Sequence, residues 1–274
     1  MKICFIGGGN MAIALIGGLL GKGYSAAEIS VVEIDAGNRT RLQRDFAVRV
    51  FEDIAQGIAG SGIVIFAVKP QQLRDVAKQI APILTGQLLI SIAAGIRAVD
   101  LSQWSDSQAV VRAMPNTPAL IRSGITGLYA LPAVSGAQRE QAQGILAAVG
   151  ETLWFEDERI LDAVTAISGS GPAYVFYFIE ALQKAALELG LDSDQARRLS
   201  LATFLGASKL AAAGNEDISV LRARVTSKNG TTERALLSLA ANNVADHIVQ
   251  AAKAAADRAR EMGDELSDSP GSRR

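Results

Sequence analysis

Side chains able to do chemistry are scarce in this chain, and the scarcity narrows what it can do. Among 274 residues there is one histidine, His247, and one cysteine, Cys4. A zinc site needs a cluster of such ligands, so no metal is expected. A Ser-His-Asp hydrolase, or a hydroxy-acid dehydrogenase with a histidine acid, needs an imidazole beside the reacting atoms. His247 falls instead in the last predicted helix, and the N-terminal half has no histidine at all. In place of imidazole the sequence offers hydroxyls, small residues and backbone N–H groups. They gather in Ser168-Gly-Ser-Gly-Pro-Ala173 and in Val225-Thr-Ser-Lys-Asn-Gly-Thr-Thr232, each just before a predicted helix. A helix start exposes unpaired N–H groups and the positive end of the helix dipole, which suits an anion such as a carboxylate. Ordinary capping, with Thr231 or Thr232 as the cap and Glu233 close behind, accounts for the second stretch without any ligand.

A further glycine-rich stretch stands near the N-terminus. Gly7-x-Gly9-x-x-Ala12 follows an apolar run at residues 2–6 and opens another at 11–20. Strand, tight turn and helix in that order is the context in which this spacing binds a dinucleotide. The first glycine permits the turn, the second lets backbone approach the pyrophosphate, and small Ala12 allows close helix packing. With a hydride carrier and no histidine acid, reduction of an imine fits better than reduction of a ketone. A C=N nitrogen can arrive already protonated, so hydride attack neutralises charge and leaves no oxyanion. The protein then mainly has to hold substrate against the nicotinamide and bind any carboxylate.

The elements that must position these residues follow from periodicity. Residues 29–34, 62–67 and 88–92 read as strands, and 39–45 and 70–81 as helices. Their alternation predicts an α/β fold with a parallel, doubly wound sheet, whose ligands sit beyond the carboxyl ends of the strands. Glu33-Ile-Asp35, Ala67-Val-Lys-Pro70 and Ala93-Ala-Gly95 occupy that edge. Glu33 or Asp35 either accepts hydrogen bonds from an adenosine ribose, which favours NAD and repels the extra phosphate of NADP, or is a solvated loop carboxylate. Lys69 either brings positive charge toward phosphate or nicotinamide or is a surface lysine. Val110-Val-Arg-Ala-Met-Pro-Asn-Thr-Pro118 is a strand entering a stiff turn, where Asn116 either caps the turn or orients a nicotinamide amide.

After a strand-like stretch at 152–155 the pattern becomes helical, with helices predicted at 173–189, 193–213, 231–240 and 244–262. The boundary is placed near Asp157: a dinucleotide-binding domain over 1–157, a helical domain over 158–266, and a polar tail, 267–274, expected to be disordered. Ala173-Tyr-Val-Phe-Tyr-Phe-Ile179 is apolar nearly all round and calls for burial on several sides, as an intertwined dimer would provide. The 49% hydrophobic content is enough for a substantial core. With 27 basic and 28 acidic residues the net charge is −1, which carries no footprint for nucleic acid or an anionic membrane. A small molecule or a second copy of the chain is the expected partner. The uncharged runs at 3–21 and 163–179 are broken by Gly7-Gly-Gly-Asn10 and Ser168-Gly-Ser-Gly-Pro172, so neither reads as a membrane span. A lone Cys4 in an apolar strand suits a reducing cytoplasm.

Taken in order, Gly7-Gly-Gly-Asn-Met-Ala12, Ala67-Val-Lys-Pro70, Met114-Pro-Asn-Thr-Pro118, Ser168-Gly-Ser-Gly-Pro-Ala-Tyr174 and Val225-Thr-Ser-Lys-Asn-Gly-Thr-Thr232 resemble the pyrroline-5-carboxylate reductases over residues 1–262. The resemblance implies an N-terminal Rossmann-like domain followed by an all-helical dimerisation domain, and reduction of 1-pyrroline-5-carboxylate to L-proline with NADPH or NADH. It implies pyrophosphate contacts from Gly7, Gly8, Gly9, Asn10 and Met11, and a cofactor cleft lined by Ala67, Val68, Lys69 and Pro70 with Ala93, Gly95 and Asn116. It assigns substrate binding to Ser170, Ser227, Asn229, Gly230 and Thr231, and the catalytic hydroxyl near the ring nitrogen to Thr232. In that family the partner subunit's helices complete each site, in dimers or rings of dimers.

Two departures stand out. The family loop usually reads Ser-Pro-Gly-Gly, whereas this chain has Ser227-Lys-Asn-Gly230, with Asn229 expected to tolerate the positive φ of the glycine it replaces. After the second strand the family often has Asn-Arg and a small hydroxyl residue, suited to NADP, where this chain has Glu33-Ile-Asp35. A related β-hydroxy-acid dehydrogenase should carry a lysine early on the first helix of the second domain, and Lys184 lies too far along it. A nucleotide sensor without catalysis would have no need of an intact loop at 225–232.

Overall fold

The computed structural model describes residues 1–267. Its first part alternates strands and helices: β1 (Ile3–Ile6), α1 (Asn10–Gly21), β2 (Ile29–Val32), α2 (Ala36–Phe46), β3 (Arg49–Phe51), α3 (Ile54–Ile58), β4 (Ile63–Phe66), α4 (Pro70–Ile80), β5 (Leu88–Ser91) and α5 (Ala98–Ser105). There follow β6 (Val110–Met114), β7 (Gly124–Ala130), α6 (Gly136–Leu146), β8 (Gly150–Trp154) and α7 (Ile160–Val164). Eight strands form one sheet in the order β3-β2-β1-β4-β5-β6-β7-β8. Every neighbouring pair is parallel except β6 and β7.

The apolar runs follow from burial on both faces. In β1, Ile3 and Phe5 enter one apolar cluster while Cys4 and Ile6 enter the other; in β4, Ile63 and Ile65 divide from Val64 and Phe66 in the same way. Helices cover both sides, so these strands read as continuous apolar stretches and not as alternating ones. Each fully buried Phe or Ile contributes about 1.5–3 kcal/mol relative to exposure.

The chain forms two compact units, one of Met1–Ser170 with the chain from Ala254 on, the other of Gly171–Lys253. Among the described residues the last strand ends at Trp154. The first unit nevertheless extends through α7 and a π-helical turn at Thr165–Gly169. Leu161 of α7 is fully buried, and the side chains of Leu161 and Val164 fill the space over Gly127 of β7, which holds this helix to the sheet. The tail expected from 267 is anchored at its first residue, where the Ser267 hydroxyl donates to Asp100 at 2.7 Å. Residues 268–274 lie outside the described residues.

The second unit is helical: α8 (Gly171–Glu188), α9 (Ser193–Ala212), α10 (Ile218–Arg224), α11 (Thr231–Ala241) and the first part of α12 (Val244–Leu266). α8 packs along α9. Phe176 and Tyr177 on α8 are 62% and 69% exposed in the single chain, and Leu205, Leu210, Leu237 and Val249 are exposed as well. That much large apolar surface on one unit marks an association face. Among the described residues, no helix is long and apolar enough to cross a membrane.

Candidate functional site

The glycine turn lies where the strand order reverses. β1 is flanked by β2 and β4, and Ile6 pairs with both Val32 and Phe66, so the three strands end level. Gly7 N–H donates to the Val32 carbonyl, and Ala67 N–H to the Ile6 carbonyl, each at 2.8 Å. Gly7 has φ +99°, and a Cβ there would lie 2.8 Å from the Ala67 carbonyl oxygen, so this position requires glycine.

Gly9 is the N-cap of α1 and makes no side-chain cap bond. A Cβ on Gly9 would meet no described atom within 4 Å. Ile13 N–H, bonded to the Gly9 carbonyl at 2.9 Å, is the first amide of the helix to be satisfied within it. The N–H groups of Asn10, Met11 and Ala12 therefore have no partner within the helix and stand at the positive end of its dipole, with no acidic residue in the first turn to neutralise it. A dinucleotide pyrophosphate fits this arrangement.

The Glu33 carboxylate stands over the same turn. One oxygen accepts from Gly8 N–H at 3.0 Å and from the Asn38 side-chain amide at 2.9 Å; the other accepts from Asp35 N–H at 2.9 Å. Asn38 also donates to the Gly8 carbonyl at 3.1 Å. A Cβ on Gly8 would lie 2.5 Å from the buried Leu42 side chain and 3.1 Å from the Glu33 oxygen, so any side chain here would crowd both. Asp35 does not share the duty of Glu33: it caps α2 by accepting from Asn38 N–H at 2.6 Å.

The cleft above this edge has a volume of about 570 Å³. Gly7 to Gly9 and Glu33 line one side, Ala67 to Lys69 the other. Exposed Lys69 is the N-cap of α4, and Pro70 takes the first helical position, where its missing N–H costs nothing. Glu52, Gln71 and Asp75 also line the cleft, and the sequence reading did not name them. Glu52 and Asp75 lie one strand or one helical turn beyond the recognised segments, which a search confined to strand ends does not reach.

Other predicted cofactor residues are placed outside these walls. Asn10 is exposed and Met11 half-buried in the first turn of α1. Ala93 is buried in the second apolar cluster. Gly95 has φ +75° and is covered by α12, with a Cβ there lying 3.2 Å from that of Met262. The Asn116 amide is committed to backbone: it donates to the Ser168 carbonyl at 3.1 Å and accepts from Ile125 N–H at 3.0 Å. It thus ties the π-helical turn to the start of β7. Half-buried Ser170 follows that turn, its N–H bonded to the Thr165 carbonyl at 2.8 Å. Such turns are frequent at functional sites.

In the second unit the residues before α11 form a tight turn. Gly230 N–H donates to the Ser227 carbonyl at 3.0 Å, and a Cβ on Gly230 would run into the Ser227 hydroxyl. Exposed Asn229 has φ +59°, a left-handed conformation that Asn tolerates better than most residues. Neither Thr231 nor Thr232 caps the helix; the N-cap is Gly230, without a side-chain bond. Glu233 reaches back to accept from Asn229 N–H at 2.6 Å. The N–H groups of Thr231, Thr232 and Glu233 have no partner within the helix, and Thr232 is half-buried. His247 lies on the exposed side of α12, and no cluster of metal-ligating side chains occurs among the described residues.

A doubly wound sheet with an open glycine turn at its switch point, followed by a helical unit, defines a dinucleotide-dependent oxidoreductase. A model described as pyrroline-5-carboxylate reductase dimerisation matches residues 158–262, and one described as NADP oxidoreductase, coenzyme F420-dependent, matches residues 2–95. The chain is 46% identical over 267 residues to a pyrroline-5-carboxylate reductase of Pseudomonas aeruginosa, covering 97% of this chain and 98% of that one. A solved pyrroline-5-carboxylate reductase of Coxiella burnetii superposes with a TM-score of 0.91 at 38% identity, covering 98% of this chain and 99% of that one. A Plasmodium falciparum pyrroline carboxylate reductase with NADP bound gives 0.86 at 27%, covering 96% and 98%. The chain belongs to the pyrroline-5-carboxylate reductase family.

Proposed function

We infer that the chain reduces 1-pyrroline-5-carboxylate to L-proline by hydride transfer from NAD(P)H, the last step of proline biosynthesis, in the cytoplasm. One observation carries the substrate assignment. In the loop at 227–232, whose sequence departs from the family pattern, Asn229 takes φ +59°, a conformation usual for glycine. The loop presents free N–H groups at the start of α11 in a chain without a histidine acid near its nucleotide half.

Bound in the cleft, the reduced nicotinamide supplies the hydride. The residues of the chain hold and orient. The N–H groups of Asn10 and Met11 receive the pyrophosphate, and Gly9, where a Cβ would stand in open space, keeps a side chain out of its path. Lys69 sets a positive charge on the opposite wall. The N–H groups of Thr231 to Glu233 take the substrate carboxylate, with Ser227, Asn229 and Gly230 shaping the turn and Ser170 a further polar contact. The Thr232 hydroxyl holds the ring nitrogen, which enters as the protonated iminium and leaves as the amine, so no acid stronger than a hydroxyl is required. The 158–266 region serves as substrate and dimerisation domain, with the loop supplied by the partner subunit, in a dimer or a ring of dimers. The apolar faces of α8 and α9 are the surfaces such assembly would cover.

Steady-state oxidation of NADH and NADPH by purified protein in the presence of 1-pyrroline-5-carboxylate tests the reading. Turnover with at least one of them is expected; none with either would sink it.

A further inference from the structure

We infer that Glu33, held in place by Asn38, makes the cofactor cleft selective for NADH over NADPH. The inference rests on the cleft being the cofactor site. A carboxylate just beyond the second strand of a doubly wound sheet is positioned for the adenosine ribose hydroxyls. Here it is immobilised before any ligand arrives. Three N–H donors, from Gly8, Asn38 and Asp35, fix both of its oxygens at 2.9–3.0 Å. An ionised carboxylate offers about four acceptor positions, so one is left for a ribose hydroxyl. A phosphate on that hydroxyl would bring its charge against a carboxylate that has no freedom to turn away.

The cation best placed to offset such a phosphate is unavailable. Arg39 lies one residue after Asn38, but its guanidinium donates to the Glu33 and Ile34 carbonyls, both at 2.8 Å, and to the Glu52 carboxylate at 2.9 Å. Its side chain is only 20% exposed. The ionisable residues lining the cleft reinforce the bias. Glu33, Glu52, Asp53 and Asp75 are acidic, and Lys69 is the cation, set after β4 on the wall opposite Glu33.

Asn38 is a positioning residue, because it touches Glu33 and Gly8 and shapes the site through them. Its side chain spans from the Glu33 carboxylate to the Gly8 carbonyl and so fixes the carboxylate against the glycine turn. Its backbone N–H separately satisfies the Asp35 cap, a bond that any substitution at 38 other than proline retains.

Equilibrium dissociation constants for NADH and NADPH, measured by calorimetry on wild type, Glu33→Gln and Asn38→Ala, decide the matter without turnover. Wild type should bind NADH about tenfold more tightly or better. Glu33→Gln should narrow the ratio mainly by tightening NADPH, and Asn38→Ala mainly by weakening NADH. Thermal melting without nucleotide confirms that each variant folds, and Asn38→Ser, too short to reach Glu33, replaces Asn38→Ala if that variant does not. A wild-type ratio near one or inverted overturns the inference, as does an Asn38 variant that weakens both nucleotides equally. Failure of both nucleotides to bind would overturn the cofactor reading with it. NADH selectivity without turnover of 1-pyrroline-5-carboxylate supports the inference and sinks only the substrate assignment.

Discussion

The Asn116 side-chain amide donates to the Ser168 carbonyl at 3.1 Å, and thereby joins the turn after β6 to the π-helical turn that precedes Ser170. Its oxygen is used as well, accepting from Ile125 N–H at 3.0 Å. Asn116 is about nine-tenths buried, at 9% exposure, so truncation strands both backbone groups away from water. Asn116→Ala should therefore lower stability by about 1–3 kcal/mol. Urea denaturation checks this. A midpoint unchanged from wild type would mean that the amide is not the brace the geometry describes. The same variant should raise KM for substrate through the displaced turn around Ser170.

Thr232 is assigned the contact with the ring nitrogen, and a hydroxyl in that role should matter in the reaction more than in cofactor binding. Thr232→Ala should reduce kcat by on the order of 10- to 10²-fold, the worth of one positioned hydrogen bond to a charged group, since the iminium arrives already protonated and Thr232 transfers no proton. Its dissociation constant for NADH should stay close to wild type. Unchanged turnover would remove Thr232 from the site.

The loop before α11 depends on one backbone conformation. Asn229 sits at φ +59°, where a residue bearing Cβ costs roughly 1–2 kcal/mol unless, like Asn, it has a compensating local bond. Asn229→Gly should leave KM for 1-pyrroline-5-carboxylate near wild type, while Asn229→Val should raise it with little change in cofactor affinity. Equal KM values for the two variants would show that the turn does not shape the carboxylate site.

Much of the fold was legible because its strands are buried on both sides. Ile3–Ile6 and Ile63–Phe66 are unbroken apolar runs, Leu88–Ser91 is apolar up to its last residue, and runs of that kind between helical segments announce a parallel sheet. β3 escaped because it is a three-residue edge strand, Arg-Val-Phe, with one residue exposed and two half-buried. β7 escaped because Gly-Ile-Thr-Gly-Leu-Tyr-Ala mixes small and polar residues with apolar ones and pairs antiparallel with β6. The glycine turn could be read from spacing alone, since its logic is local. The roles of Asn38 and Asn116 could not, because each acts on groups far along the chain: Asn38 on Gly8, 30 residues away, and Asn116 on Ser168, 52 residues away. An amide side chain has two donors and two acceptors, and only the fold says which backbone groups they meet.

Cys4 supplies a pH dependence whose sign follows from its burial in β1. Desolvation is the main cause that pushes its thiol from 9.0 up to about 12, against a hydrogen bond with Ser30 and the charge of Arg49, which both lower it. Below pH 9 the thiol is protonated in folded and unfolded chains alike, and it contributes no difference. Between pH 9 and 12 the unfolded chain releases the proton while the folded chain retains it, so unfolding becomes more favourable as pH rises. The loss is about 1.4 kcal/mol per pH unit across that window. Cys4→Ala lacks this liability. Its stability relative to wild type, measured by urea denaturation, should improve by roughly 2 kcal/mol between pH 8 and pH 10.5, whatever fixed cost the small cavity adds at both. Lysines and tyrosines that titrate in the same range are common to both proteins and cancel in the comparison. If the gap between variant and wild type is the same at the two pH values, the Cys4 thiol ionises as readily in the folded protein as in the unfolded chain, and its burial in the sheet has no electrostatic consequence.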